Sequence, residues 1–144
     1  MKLFFSGSIR GGRQLISTYE FIVRFLKSCG HIVLSEHVAI QDLEKVEARM
    51  TEQEMFEKDI NWIEGSERLI AEVTVPSIGV GYEICHAVSL GKPVLCVYKE
   101  GTQASAMVLG NKDVEVKSYS GLEELETIML EFLAKYDQIL INHL

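Results

Sequence analysis

The sequence predicts one α/β domain, a parallel sheet covered by helices on both faces. Three observations predict it. Apolar runs of strand length alternate with longer segments whose apolar residues recur at helical spacing. Glycine or proline marks most of the transitions between them. The chain has 144 residues, the size of one domain with one core. Strand and helix in alternation give right-handed crossovers and parallel neighbours.

The elements follow in order. Lys2 to Ser6 (KLFFS) is an apolar run stopped by Gly7, a buried strand. Ile16, Tyr19, Phe21 to Val23, Phe25 and Leu26 recur at helical spacing up to Cys29 and Gly30, where glycine is a natural stop. His31 to Ser35 (HIVLS) reads as the second strand. Beyond a polar stretch, Thr51 opens a helix with Glu54 three residues later, a capping box. Arg68 to Thr74 (RLIAEVT) is the third strand, ended by Pro76. Val80 to Leu90 is helical and Gly91 closes it. Pro93 to Tyr98 (PVLCVY) is the fourth strand, with proline tolerated at its first position. A short helix covers Ala104 to Leu109, Val114 to Lys117 makes a short fifth strand, and Leu122 to Tyr136 forms an amphipathic last helix. No repeat, low-complexity tract or linker divides the chain, so residues 1–144 are read as one domain.

Composition excludes several classes. Apolar residues make up 47% and charged residues 24%, close to globular averages and unlike a disordered chain. A formal charge of −7 argues against a nucleic-acid polymer as partner, though not against a small anion held by local donors. No apolar run reaches the roughly 18 residues that span a bilayer. The start, MKLFFSGSIR, lacks the long apolar region of a signal peptide, and a cytoplasmic protein is expected. Cys29, Cys85 and Cys96 form no CxxC pair. Each lies in apolar sequence and is read as a buried, reduced thiol.

In such sheets ligands bind beyond the carboxyl ends of the strands, at the switch point. The loops after strands one and three are also the most unusual stretches of this chain. The first is Gly7–Ser8–Ile9–Arg10–Gly11–Gly12–Arg13. Glycines let the backbone approach a ligand, helix-start amides attract anions, and Arg10 adds a bidentate phosphate donor. The spacing is neither G-x-G-x-x-G nor a P-loop. A tight turn with solvated arginines would look similar, but its place at a strand end favours anion binding.

The second stretch is Pro76–Ser77–Ile78–Gly79–Val80–Gly81–Tyr82–Glu83. Ser77 can cap the helix, yet the capping-box position three residues later holds Val80. Glu83 therefore has no capping task. Small and apolar residues surround it, and a place near the helix N-terminus would favour the ionised form that a carboxylate nucleophile needs. Asp59 falls within the apolar stripe of Met55, Phe56, Ile60, Trp62 and Ile63. A carboxylate there must be paired, hydrogen-bonded or proton-shifted, which fits a structural hydrogen bond as well as catalysis. His37, at the end of strand two, could contact a base. His31, His86 and His143 show no ligand spacing, and Ser105 reads as a helix start.

Together these stretches resemble the nucleoside 2-deoxyribosyltransferase superfamily, and within it the branch of 2′-deoxynucleoside 5′-monophosphate N-glycosidases. The residues that carry the likeness are GSIRGGR (Gly7 to Arg13), EHV (Glu36 to Val38), DINW (Asp59 to Trp62), AEVTVPSIGVGYE (Ala71 to Glu83), GKPVLC (Gly91 to Cys96) and SAM (Ser105 to Met107). They run in order over most of the chain; residues 40–55 and the C-terminal tail contribute little.

The resemblance implies a flavodoxin-like, Rossmann-like sheet of five parallel strands and a homodimer. It implies hydrolysis of a nucleoside 5′-monophosphate to free base and a pentose 5-phosphate. Glu83 would attack C1′ of the sugar, with Asp59 assisting at the leaving base. The family's phosphate contacts map onto Ser8, Arg10, Ser77 and Ser105, the last from the neighbouring subunit. Ile9 and His37 would lie near the base, and Gly7, Gly11, Gly12, Gly79 and Met107 complete the substrate-binding set. No metal or organic cofactor is expected. Two carboxylates and an oxocarbenium-like transition state agree with general glycoside chemistry. One departure stands out. Many deoxy-specific members have tyrosine in the sugar pocket where this chain has Phe4, and members acting on ribonucleotides have phenylalanine there. A ribonucleotide-preferring hydrolase, a deoxyribosyltransferase and a non-catalytic nucleotide-binding domain are the alternatives.

Overall fold

The computed structural model describes residues 1–9, 14–39, 45 and 48–142, with side chains up to residue 135. Its strands are β1 (Lys2–Ser6), β2 (Ile32–Val33), β3 (Arg68–Glu72), β4 (Val94–Lys99) and β5 (Glu115–Tyr119). They form one sheet in the order β2-β1-β3-β4-β5, and every neighbouring pair is parallel. This is the flavodoxin-like order, with its switch point between β1 and β3. The described helices are α1 (Ile16–Ser28), α2 (Glu52–Gly65), α3 (Ile78–Ser89), α4 (Ala106–Leu109) and α5 (Leu122–Asn142), with a 3-10 turn at Glu36–Ala39.

Alternation along β1 divides the core in two. Leu3 and Phe5 face the layer of α1 and α5, where Ile70, Leu95 and Val97 join Tyr19, Ile22, Leu26, Met129 and Phe132. Phe4 faces the opposite layer, with Leu69, Ala71 and Cys96 against Ile63, Val80, Ile84 and Ala87. Phe4 and Phe5 are 1% and 0% exposed, and burial of each contributes roughly 1.5–3 kcal/mol. A strand buried on both faces reads as a continuous apolar run, which is why KLFFS was legible.

Thr51 caps α2, its hydroxyl accepting the Glu54 amide at 3.1 Å. At the other end, Lys92 Nζ donates to the carbonyls of Glu64 and Ser66, oxygens that no helical amide can reach. The long α5 is tied to the sheet by buried Arg68, whose guanidinium donates to the Leu133 carbonyl at 2.6 Å.

Several boundaries differ from expectation. β2 pairs only through Ile32 and Val33, because Ser35 substitutes its side chain for the ladder: its Oγ accepts from Phe5 N and donates to Phe5 O, each at 2.7 Å. α3 begins at Ile78 rather than Val80, since Ser77 Oγ accepts the Val80 amide at 3.3 Å and starts the helix despite Gly79 and Gly81. α5 continues past Tyr136 to Asn142. Two of the three thiols are not buried. Cys29 follows the last residue of α1 and Cys85 turns away from the sheet next to buried Ile84, so both are exposed; only Cys96 is buried. Among the described residues no helix is long and apolar enough to cross a membrane.

Candidate active site

The switch point brings the end of β1 to the helix that follows β3. Ser6 closes β1 opposite Ala71 of β3, and its Oγ donates to Oε1 of Glu83 on α3 at 3.0 Å. Glu83 is the sixth residue of α3, beyond the first turn where the helix dipole acts. At that depth in the helix a specific donor, the Ser6 hydroxyl, meets the carboxylate. Sequence reading passed over Ser6 as the last residue of a strand.

The loop after β1 starts tightly. Gly7 is buried, and a Cβ placed there would lie 3.1 Å from the Tyr19 ring. Ser8 is also buried, with its backbone amide donating to the Tyr19 hydroxyl at 3.1 Å. Ile9 packs against the α1 side of the core. Arg10, Gly11, Gly12 and Arg13 lie outside the described residues.

Helix α2 flanks Glu83. Phe56 meets Tyr82 edge to face with centroids 5.9 Å apart, and Glu64 lies 3.7 Å from His86. Asp59 lies between these two contacts on α2, as Glu83 does on α3. Asp59 is partly buried, and its Oδ1 is screened from solvent. The stripe around it is less buried than its pattern suggested: Ile63 is fully buried, but Phe56 is 52% exposed. His37 packs on Trp62 with centroids 5.0 Å apart, and Lys58 Nζ stands 5.2 Å from that indole ring. Phe4 precedes Ser6 by one pleat on the same face of β1 and is buried among the side chains below the site.

Ser77, Ser105 and Met107 are gathered elsewhere. They line a groove of about 340 Å³ between α3 and α4, with Gly81, Cys85 and Gln103. The Ser105 hydroxyl caps α4 by accepting the Met107 amide at 3.2 Å. Gly81 and Cys85, four residues apart, occupy one side of α3, while Glu83 and His86 fall on another. Ser77, Ser105 and Met107 thus share one groove. Gly79 is exposed, and among the described residues a Cβ there would meet only Ser77 Oγ, at 3.9 Å.

A second buried carboxylate closes β3. Glu72 is fully buried and accepts from the Thr74 amide at 2.6 Å, the Thr74 hydroxyl at 2.9 Å and the Tyr119 phenol. Desolvation raises its pKa above the usual carboxylate value, and the three donors oppose that shift. Tyr119 is raised in turn by its own burial and by Glu72. Thr74 Oγ1 also accepts the Lys99 amide at 2.9 Å, which ties the β3 loop to the end of β4. Among the described residues no group of three or more histidine, cysteine or acidic side chains could hold a metal ion.

Comparison with known proteins gives the family. Residues 3–127 match the family model described as nucleoside 2-deoxyribosyltransferase. The chain is 53% identical to a Methanosarcina mazei protein named "Putative 2'-deoxynucleoside 5'-phosphate N-hydrolase 1", over 91% of this chain and 83% of that one. It is 42% identical to the 5-hydroxymethyl-dUMP N-hydrolase of Rattus norvegicus, over 93% of this chain and 85% of that one. The solved structure of a Clostridium botulinum CMP N-glycosidase is similar at a TM-score of 0.62 and 19% identity, covering 90% of this chain and 98% of that one, which shows the shared fold. On the match over residues 3–127 and on these identities, the chain belongs to the nucleoside 2-deoxyribosyltransferase family.

Proposed function

We propose that this protein hydrolyses the N-glycosidic bond of 2′-deoxynucleoside 5′-monophosphates, releasing the free base and deoxyribose 5-phosphate through a covalent ester on Glu83. The observation that carries the reading is the placement of Glu83 at the β1/β3 switch point, held by Ser6, in a chain whose relatives are named as N-hydrolases of such nucleotides.

Glu83 attacks C1′ as the C1′–N bond breaks, and the base leaves with the bonding electron pair and a proton from Asp59. Water then adds to C1′, its proton passes to Asp59, and the C1′–Oε bond breaks to restore the Glu83 carboxylate. The net change is one water split between sugar and base. Proton transfer and nucleophilic attack account for every bond, so the chemistry asks for no metal or organic cofactor.

Gly7, Ser8, Arg10, Gly11 and Gly12 hold the 5′-phosphate. His37, braced by Trp62, and Ile9 meet the base, and Gly79 leaves room beside the sugar. Ser77 joins the phosphate set together with Ser105 and Met107 of a second copy. A homodimer is supported by the apolar surface beside that groove, where Ile78 is 95% and Met107 84% exposed. The free thiols, two of them exposed, fit a reducing compartment such as the cytoplasm.

Phe4 favours a second reading. Buried below the site, it offers no hydroxyl toward the sugar, which is compatible with a 2′-hydroxyl and hence with ribonucleotides. Side-by-side assay of ribo- and deoxyribonucleoside monophosphates decides between them by the rate of base release. Adding a second base separates a transferase, which would form a new nucleotide. Binding without any turnover would point to a nucleotide-binding domain and overturn the proposal.

A further inference from the structure

The nucleophile reading leaves open what holds the Glu83 carboxylate. Phe4 and Ser6 lie on the same face of β1, below α2 and α3, and Phe4 offers no donor. Ser6 does, donating to Glu83 Oε1 at 3.0 Å. The serine is 1% exposed, so water competes poorly for that bond. Its backbone is fixed by pairing with Ala71 of β3, which places the hydroxyl on a strand and not on a loop. A donor on a rigid element orients its partner more precisely than one on a mobile segment.

We propose that Ser6 is the positioning residue of Glu83, an inference that rests on Glu83 being the nucleophile. Held through Oε1, the carboxylate turns little about its last torsion as Oε2 bonds C1′. When the C1′–N bond breaks and the base departs with its electron pair and a proton, Oε2 forms the ester. Oε1 becomes the ester carbonyl and still accepts from Ser6. When water adds at C1′ and gives up a proton, the C1′–Oε2 bond breaks and negative charge returns to the carboxylate. The Ser6 hydroxyl meets that charge as it develops, so its contribution falls on breakdown of the ester and appears in kcat rather than in substrate binding.

Three variants at one position separate this role from packing. Ser6→Ala removes the donor and some volume. Ser6→Cys keeps the approximate volume with a much weaker donor, and Ser6→Thr keeps the hydroxyl with an added methyl. Steady-state assays of base release are expected to show kcat lowered roughly tenfold or more in both Ser6→Ala and Ser6→Cys, with KM within about twofold of wild type. Ser6→Thr should stay close to wild type. Activities sorted by volume, with Ser6→Cys near wild type and Ser6→Ala alone impaired, would overturn the proposal. Glu83→Gln in the same assay distinguishes the two levels. If it is inactive while all three serine variants match wild type, the Ser6 inference fails and the nucleophile stands. If it is active, the nucleophile reading itself fails.

Discussion

The Tyr19 hydroxyl, on α1, accepts the backbone amide of Ser8 at 3.1 Å, and the same ring fills the space above Gly7. One side chain thus shapes the start of the loop proposed to take the phosphate. Tyr19→Phe keeps the ring but removes the acceptor from a buried amide, at a cost of about 1–3 kcal/mol. Thermal unfolding should show the loss, and KM for a nucleoside monophosphate should rise more than KM for the matching nucleoside. Equal changes for the two substrates would separate this turn from phosphate binding. Gly7→Ala should be worse than Tyr19→Phe, because the added carbon meets the ring at 3.1 Å.

Glu72 and Tyr119 carry a pH dependence whose sign can be worked out. Burial raises the Glu72 pKa in the folded protein, so folding favours the protonated form more than the unfolded chain does. Its contribution to stability is therefore fully present below the ordinary glutamate value and declines as pH rises through the raised one. Tyr119 opposes this by donating to the ionised carboxylate. Tyr119→Phe removes that donor and should destabilise by roughly 1.5–3 kcal/mol once Glu72 is ionised. Melting curves should show a gap from wild type that is small near pH 4.5 and widens toward pH 8. A gap independent of pH would mean that the lost packing of the ring dominates.

The thiols should differ in reactivity. Burial pushes the Cys96 pKa up to about 12, while Cys29 and Cys85 are exposed. A chromogenic disulfide reagent should modify two thiols of the native protein and the third only in denaturant. Cys85 lines the groove in which a second copy is proposed to sit. Its modification should slow as protein concentration rises, while that of Cys29 should not. A Cys85 rate unchanged across the range would argue against a partner in that groove.

The fold was legible wherever local pattern and tertiary role agree. β1, β3 and β4 are buried on both faces and read as apolar runs, and Thr51 announced the start of α2. β2 was not legible to its true length, because the exchange of a ladder for the Ser35 hydroxyl depends on Phe5, thirty residues away. The start of α3 was misread because Gly79 and Gly81 lower helix propensity, which the Ser77 cap overrides. In the site, Glu83 stood out because it lacked a capping task. Ser6 and Tyr19 did not, since one reads as the end of a strand and the other as part of an apolar helix face. Alternation along KLFFS does hold the signal for Ser6: it shares a face with Phe4, and that face leads to the helix bearing Glu83. That Ser77 shares a groove with Ser105 and Met107 follows from the true start of α3, which local pattern alone did not show.

The central claim is that the Glu83 carboxylate breaks the glycosidic bond. It is tested most directly by the rate of base release from a 2′-deoxynucleoside monophosphate by Glu83→Gln, a substitution that keeps size and fold. The account predicts a loss of about a thousandfold or more, with an unchanged circular dichroism spectrum and retained nucleotide binding. A variant that releases base within tenfold of the wild-type rate would contradict it.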